Sequence, residues 1–269
     1  MKKLWLWCVV FSACGGVGQV SLTTWGEDFI EQGIPAAVFD DGASVKYSKF
    51  LVVLKDFALA TKTGTTGPTQ STPFVVDVTK PGPIELELLE GVPAQKWDAV
   101  SYGIGPASTA IGAGDVSAAD VEAMKAGHHS VWVEGTLSKG AVSKTFAWKL
   151  SIDTHFADCT NPDFGEGVTV ATGGTEVVQL TIHGDHFWYD DLQSPDAKVR
   201  GQALVDADAD GDGAITQAEL RAVQLTALPL GQYGTAGASK VKTLEDFETA
   251  LGRTIGHFRG EGECESTAR

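Results

Sequence analysis

Twelve consecutive residues, Asp208-Ala-Asp-Gly-Asp-Gly-Ala-Ile-Thr-Gln-Ala-Glu219, carry oxygen donors at a spacing suited to a hard cation. Calcium takes about six to eight oxygens, and a loop of this length offers them from its positions 1, 3, 5, 7, 9 and 12. Here those positions are Asp208, Asp210, Asp212, the Ala214 carbonyl, Thr216 through a water, and Glu219, which can bind with both carboxylate oxygens. Gly213 falls at position 6, where the chain turns with positive φ and a side chain is costly. Ile215 follows where an apolar side chain turns back to the core. The plainer alternative is a solvated Asp/Gly loop that holds no ion.

With every ligand position filled, the loop resembles an EF-hand. Its flanks read as helices: Ser194-Pro195 can open the first, with Val199, Ala203, Leu204 and Ala207 as an apolar stripe. Leu220, Val223 and Leu228 continue the packing face on the far side. Sensor EF-hands come in pairs, and no second loop exists in the sequence, so calcium here is expected to hold structure rather than transmit a signal.

A second group of donors lies in His183-Gly-Asp-His186, at the end of a strand where an alternating pattern breaks. Imidazoles beside carboxylates suit copper or zinc, and strand ends are places where ligands converge. His129 and His155 are the candidates to join them; His128 and His129 are adjacent, so on a strand only one can face a given site. The competing reading puts His183 on a wet strand face and His186 on a local backbone group.

The elements that must position these groups are mostly strands. Val45–Ala60 is rich in β-branched and aromatic residues, and Ile84, Leu86 and Leu88 alternate with Glu85 and Glu87. Phe146, Trp148, Leu150 and Ile152 share one face, as do Val178, Leu180 and Ile182, with Gln179, Thr181 and His183 opposite. Ser117–Lys125 reads as a helix with Ser117 as its cap, and Thr243–Thr254 as another. The expected fold is therefore mainly β: an antiparallel β-sandwich over residues 20–191, then a small α-helical unit over 192–269 carrying the single EF-hand-like loop.

The net charge of −15 repels a phosphate backbone, so nucleic acid is excluded as a partner. Residues 1–14 read as a targeting segment: Lys2 and Lys3, an apolar run Leu4–Phe11, then Phe11-Ser12-Ala13-Cys14. That ending resembles a bacterial lipoprotein signal, which implies acylation of Cys14, a tether over 15–19, and a membrane partner reached through lipid. Gly15 after the cysteine implies the outer membrane by the same resemblance. A plain secretory signal, cut a few residues later, is the alternative. Cys8 leaves with the signal, so Cys159 and Cys264 remain and are expected to pair in an oxidising compartment.

The strand Ser130-Val-Trp-Val-Glu-Gly-Thr136 followed by Phe146-Ala-Trp-Lys-Leu150 resembles the periplasmic copper-binding proteins encoded beside methanobactin genes, over about Val20 to Cys159. That resemblance implies copper held by two histidines and an oxidised tryptophan. Trp132 and Trp188 are the tryptophans nearest in sequence to histidines, while Trp148-Lys149 stands where a histidine is looked for. No Gly-x-Ser-x-Gly, His-Glu-x-x-His, phosphate-binding loop or Cys-x-x-Cys occurs, so no enzyme is expected. The leading expectation is a non-catalytic, calcium-binding cell-envelope lipoprotein, facing the periplasm or the surface; the alternative is a copper-binding protein that uses the histidines.

Overall fold

The computed structural model describes residues 15–269, so Cys14 and the targeting segment lie outside the described residues. The architecture is mainly β, built from two principal sheets that share one hydrophobic cluster.

The smaller sheet orders its strands Gly256–Phe258, Thr175–Ile182, Val17–Trp25 and Ile84–Pro93. Its central pair, Val17–Trp25 with Thr175–Ile182, runs parallel, whereas the two outer pairings are antiparallel. The pairing is thus mixed, which the local alternation of side chains could not reveal, because parallel and antiparallel strands expose the same two-residue period. The larger sheet centres on the long Ala43–Ala60 strand, flanked by Val131–Lys139 and Ala99–Ile104, with Val142–Leu150 completing a hairpin against Val131–Lys139.

Alternation did place the core. Phe146, Trp148, Leu150 and Ile152 are buried together, as are Val178, Leu180 and Ile182. Leu88 departs from its expected face and is 40% exposed. Register shifts along the Val17–Trp25 partner strand break the parity there, and a one-residue slip turns a side chain to the other face. The second face of Ala43–Ala60 is covered too: Leu51 and Val53 pack with Val121 and Met124 of helix α2, Ala118–Ala126, capped by Ser117 Oγ on the Asp120 amide at 3.1 Å.

Two short helices flank the acidic loop: α3, Gln202–Ala207, and α4, Gln217–Ala222. The first begins later than Ser194-Pro195 suggested. Those residues form a turn instead, with the Asp191 carboxylate accepting the amides of Gln193 and Ser194, and Val199 bridging to Tyr189. Helix α5, Leu244–Leu251, opens with a capping box between Thr243 and Asp246. Ala203, Leu204, Ile215, Leu220, Leu244, Phe247 and Leu251 belong to the same hydrophobic cluster as the sheets. Among the described residues no helix is long and apolar enough to cross a membrane.

Candidate metal centre

The strand Thr175–Ile182 ends at His183, whose amide donates to the Ile255 carbonyl at 2.9 Å. That bond brings the short strand Gly256–Phe258 alongside, with His257 opposite Thr181. The expected wet face of Gln179, Thr181 and His183 is in fact roofed by the following turn: the Arg259 amide reaches the Gln179 carbonyl at 3.0 Å, and the Gly260 amide reaches Thr181 Oγ1 at 2.8 Å. His183 is 5% exposed and His257 4%. After His183 the chain enters a single 3-10 turn, Asp185–Trp188, which swings His186 back over the strand end.

Three imidazoles therefore meet. One ring nitrogen from each of His183, His186 and His257 lies within 4.8 Å of the other two. His183 and His257 stack at 3.9 Å between ring centroids, and His186 stands edge-on to both at 5.5 and 4.9 Å.

Two of the three rings are held by a neighbour. Glu27 Oε1 lies 3.1 Å from His183 Nε2, and Thr254 Oγ1 lies 2.8 Å from His186 Nδ1, leaving Nδ1 of the first and Nε2 of the second free of those contacts. The Tyr102 hydroxyl donates to the His257 carbonyl at 3.0 Å, and the Tyr47 hydroxyl to the Gly184 carbonyl at 2.6 Å, fixing the backbone under the cluster. Tyr47 is itself held by the Trp188 indole N–H at 2.8 Å. Carboxylates or hydroxyls that orient ligating histidines in this way are the usual outer layer of a metal site. His257 Nδ1 is buried with no hydrogen-bond partner.

Electrostatics sort the three rings. Burial, then the nearby His183 charge, lowers His186 to about 3. Burial followed by His183 and His186 lowers His257 to about 3, with Asp185 and the Gly262 main chain acting the other way. His183 goes up: burial opposes its charge, but the Glu27 hydrogen bond and the Glu27, Asp185 and Glu261 charges outweigh it. With His186 and His257 held neutral, the three rings form a set of nitrogen donors open to a transition metal.

The other histidines stand elsewhere. His129 lies 3.4 Å from Ser151 Oγ through Nδ1, and burial and the Lys149 charge lower its pKa. His155 sits on the larger sheet in Thr154–Ala157, opposite Gly103 and Thr267. Neither joins the cluster. His257, Glu27 and Glu261 were missed in the sequence because Glu27 and the His257–Glu261 segment lie far from His183-Gly-Asp-His186 along the chain. The one available signal was Gly256-His-Phe-Arg-Gly-Glu-Gly-Glu-Cys264, a histidine among glycines and acids just before a cysteine. That cysteine pairs with Cys159 as expected, and the tail is tied further by Thr160 N to Glu263 O at 2.8 Å.

Trp132 lies beneath two ammonium groups, Lys49 at 4.1 Å and Lys149 at 3.7 Å from its ring centroid, away from the three histidines. Trp188 and Trp148 pack at 5.9 Å in the aromatic core below the cluster.

In the acidic loop, oxygens of Asp208, Asp210 and Glu219 lie within 4.8 Å of one another. Gly211 and Gly213 both adopt positive φ, at +74° and +87°. The loop's own amides fill much of the oxygen capacity: Gly211 and Gly213 donate to Asp208 at 2.8 and 3.1 Å, Ala214 to Asp212 at 2.8 Å, and Ala209 to Glu219 at 3.0 Å. Thr216 and Glu219 form a capping box. Lys144 Nζ, 2.9 Å from Asp208 Oδ2, holds that carboxyl below its ordinary range. Ala214-Ile215 adds a short parallel strand to the edge of Val142–Leu150, and the Trp148 indole N–H donates to the Ile215 carbonyl at 2.9 Å.

The class these features define is a mainly β protein with a buried three-histidine cluster and a separate acidic loop. No protein-family model matches the chain. No curated protein matches it. Among solved structures, MbnP from Methylosinus trichosporium aligns over 74% of this chain and 93% of its own, at 13% identity and a TM-score of 0.38. A likeness at that level carries no argument about function.

Proposed function

We propose that this chain is a non-catalytic copper-binding protein of the bacterial cell envelope, a β-sandwich that captures the metal at His183, His186 and His257. The observation that carries the reading is the convergence of three enclosed imidazoles with His257 Nδ1 left without a partner. A buried polar atom without a hydrogen bond costs about 1 to 3 kcal/mol, and a ligated metal removes that cost. Copper is favoured over other divalent metals because nitrogen donors bind it most tightly in the first transition row. The Cys159–Cys264 disulfide supports an oxidising compartment. Lipid anchoring through Cys14 at the outer membrane goes with this reading as its means of retention. Metal content of protein purified from the envelope without chelator tests it: copper near one per chain is expected, and protein that stays copper-free after loading ends the reading.

The convergence of Asp208, Asp210 and Glu219 favours a second, structural ion, calcium, in the helical segment. Its binding would add to folding stability. A melting temperature that rises with calcium supports it, and a melt indifferent to chelator at millimolar calcium removes it.

A further inference from the structure

The His183 ring faces two different sets of donors. On its Nδ1 side stands Asp185 at 4.0 Å, and one nitrogen of the ring belongs to the three-histidine group. On its Nε2 side are Glu27 Oε1 at 3.1 Å and the Gly260 carbonyl at 3.3 Å, and a Glu261 oxygen completes a second group with Glu27 and His183 in which all ligand atoms lie within 4.8 Å. We propose that Glu27, His183 and Glu261 form an outer position for a divalent cation that takes the place of the His183 Nε2–Glu27 hydrogen bond and shares the His183 ring, as an imidazolate that has released both ring protons to solvent, with the buried three-histidine position; this rests on the reading of that position as a metal site.

Charge is the first argument. Two carboxylates converge here, and among the described residues no lysine or arginine forms an ion pair with either. The nearest arginine in sequence, Arg259, is committed to Glu176 and to the Val177 carbonyl. Two like charges this close repel, and no fixed positive side chain beside them offsets that repulsion. A divalent cation neutralises both.

Access is the second. His183 and His257 have little contact with solvent, whereas the outer group opens into a cavity of about 400 Å³ lined by Trp25, Glu27, Asp28, Phe29, Gly260 and Glu261. Glu27 occupies the first residue of helix α1, Glu27–Glu31, with φ of +56°, a left-handed conformation uncommon outside glycine, while its carboxylate meets His183.

Donor chemistry decides the ligand class. Two carboxylates and one imidazole suit zinc or cupric copper, and not the cuprous ion, which prefers softer donors.

The test is stoichiometry on the full chain with Zn²⁺, in excess calcium so that the Asp208–Glu219 oxygens stay occupied. Wild type is expected to retain about two zinc ions after desalting and Glu261→Ala about one; Glu261 is exposed, so the substitution leaves the core untouched. One zinc in both proteins overturns the outer position and leaves the histidine reading standing. Two in both places the second ion elsewhere and also overturns it. None in wild type removes the three-histidine reading and this inference with it. With Cu²⁺ in place of zinc, two ions sharing one imidazole couple magnetically, so the integrated paramagnetic signal should fall below total copper in wild type and match it in Glu261→Ala. A full signal from a wild-type chain holding both ions contradicts the sharing of His183.

Discussion

The acidic loop and the histidine cluster differ in how far each completes itself. Asp208, Asp210, Asp212 and Glu219 accept amide hydrogens from their own loop, and Lys144 adds an ion pair to Asp208. The loop is thus a nearly satisfied structure that an ion can tighten. The cluster is unfinished: the His183 and His186 rings are oriented from outside by Glu27 and Thr254, and Tyr102 holds the His257 backbone, yet His257 Nδ1 has no partner. A site that is oriented but unsatisfied demands a ligand more strongly than one that has satisfied itself, which is why the proposed function rests on the histidines and not on the loop.

The largest effect expected to separate the two regions comes from the disulfide. Replacing Cys159 and Cys264 with alanine removes the tie next to the His257 segment and should cost about 2 to 5 kcal/mol in a denaturant titration. Copper affinity should fall with it, while the calcium-induced rise in melting temperature persists. Loss of both responses together would mean that the regions are one unit.

Calcium comes next. Adding it at about one hundred times its dissociation constant should raise the melting temperature by roughly 5 to 10 °C, and Asp210→Ala should erase that rise without changing copper binding. Glu27→Gln should then weaken copper binding about 10- to 100-fold, as removal of a group orienting a ligand does, with the calcium response intact. Isothermal titration with each metal checks both.

The pH dependence of the metal-free protein is smaller. His186 and His257 have folded values near 3, below the ordinary 6.5, so between those limits the unfolded chain binds more protons and stability falls as pH drops. His183 is raised and acts oppositely: its contribution is present below 6.5 and is lost as pH rises through its folded value. Two groups outweigh one, so urea midpoints should decline from pH 6.5 toward pH 5, and a His186→Gln, His257→Gln double variant should flatten the decline. Substituting His129 or His155 with alanine should leave copper binding unchanged, because neither reaches the cluster.

The same comparison explains what the sequence disclosed. The acidic loop is contiguous, so its ligand spacing stands in the text of the chain, as do Ser117 and Thr243 as helix caps and the alternation from Phe146 to Ile152. His183 and His186 were legible as a pair for the same reason. His257 was not, because only the antiparallel pairing of Gly256–Phe258 with Thr175–Ile182 brings it there. Pairing of distant strands leaves no local trace. Glu27 was hidden twice, by its distance along the chain and by a left-handed backbone that residue type does not announce. The burial of His183 followed from the roof formed by Arg259 and Gly260, which the alternation in its own strand could not report.

The central claim is that His257 completes a copper site with His183 and His186. Direct titration of purified wild type and His257→Ala with copper, read by elemental analysis after desalting, tests it most directly. The account predicts stoichiometric copper in wild type and more than about a 100-fold loss of affinity in the variant, with its calcium-dependent melt preserved. Equal copper retention by the two proteins would contradict it.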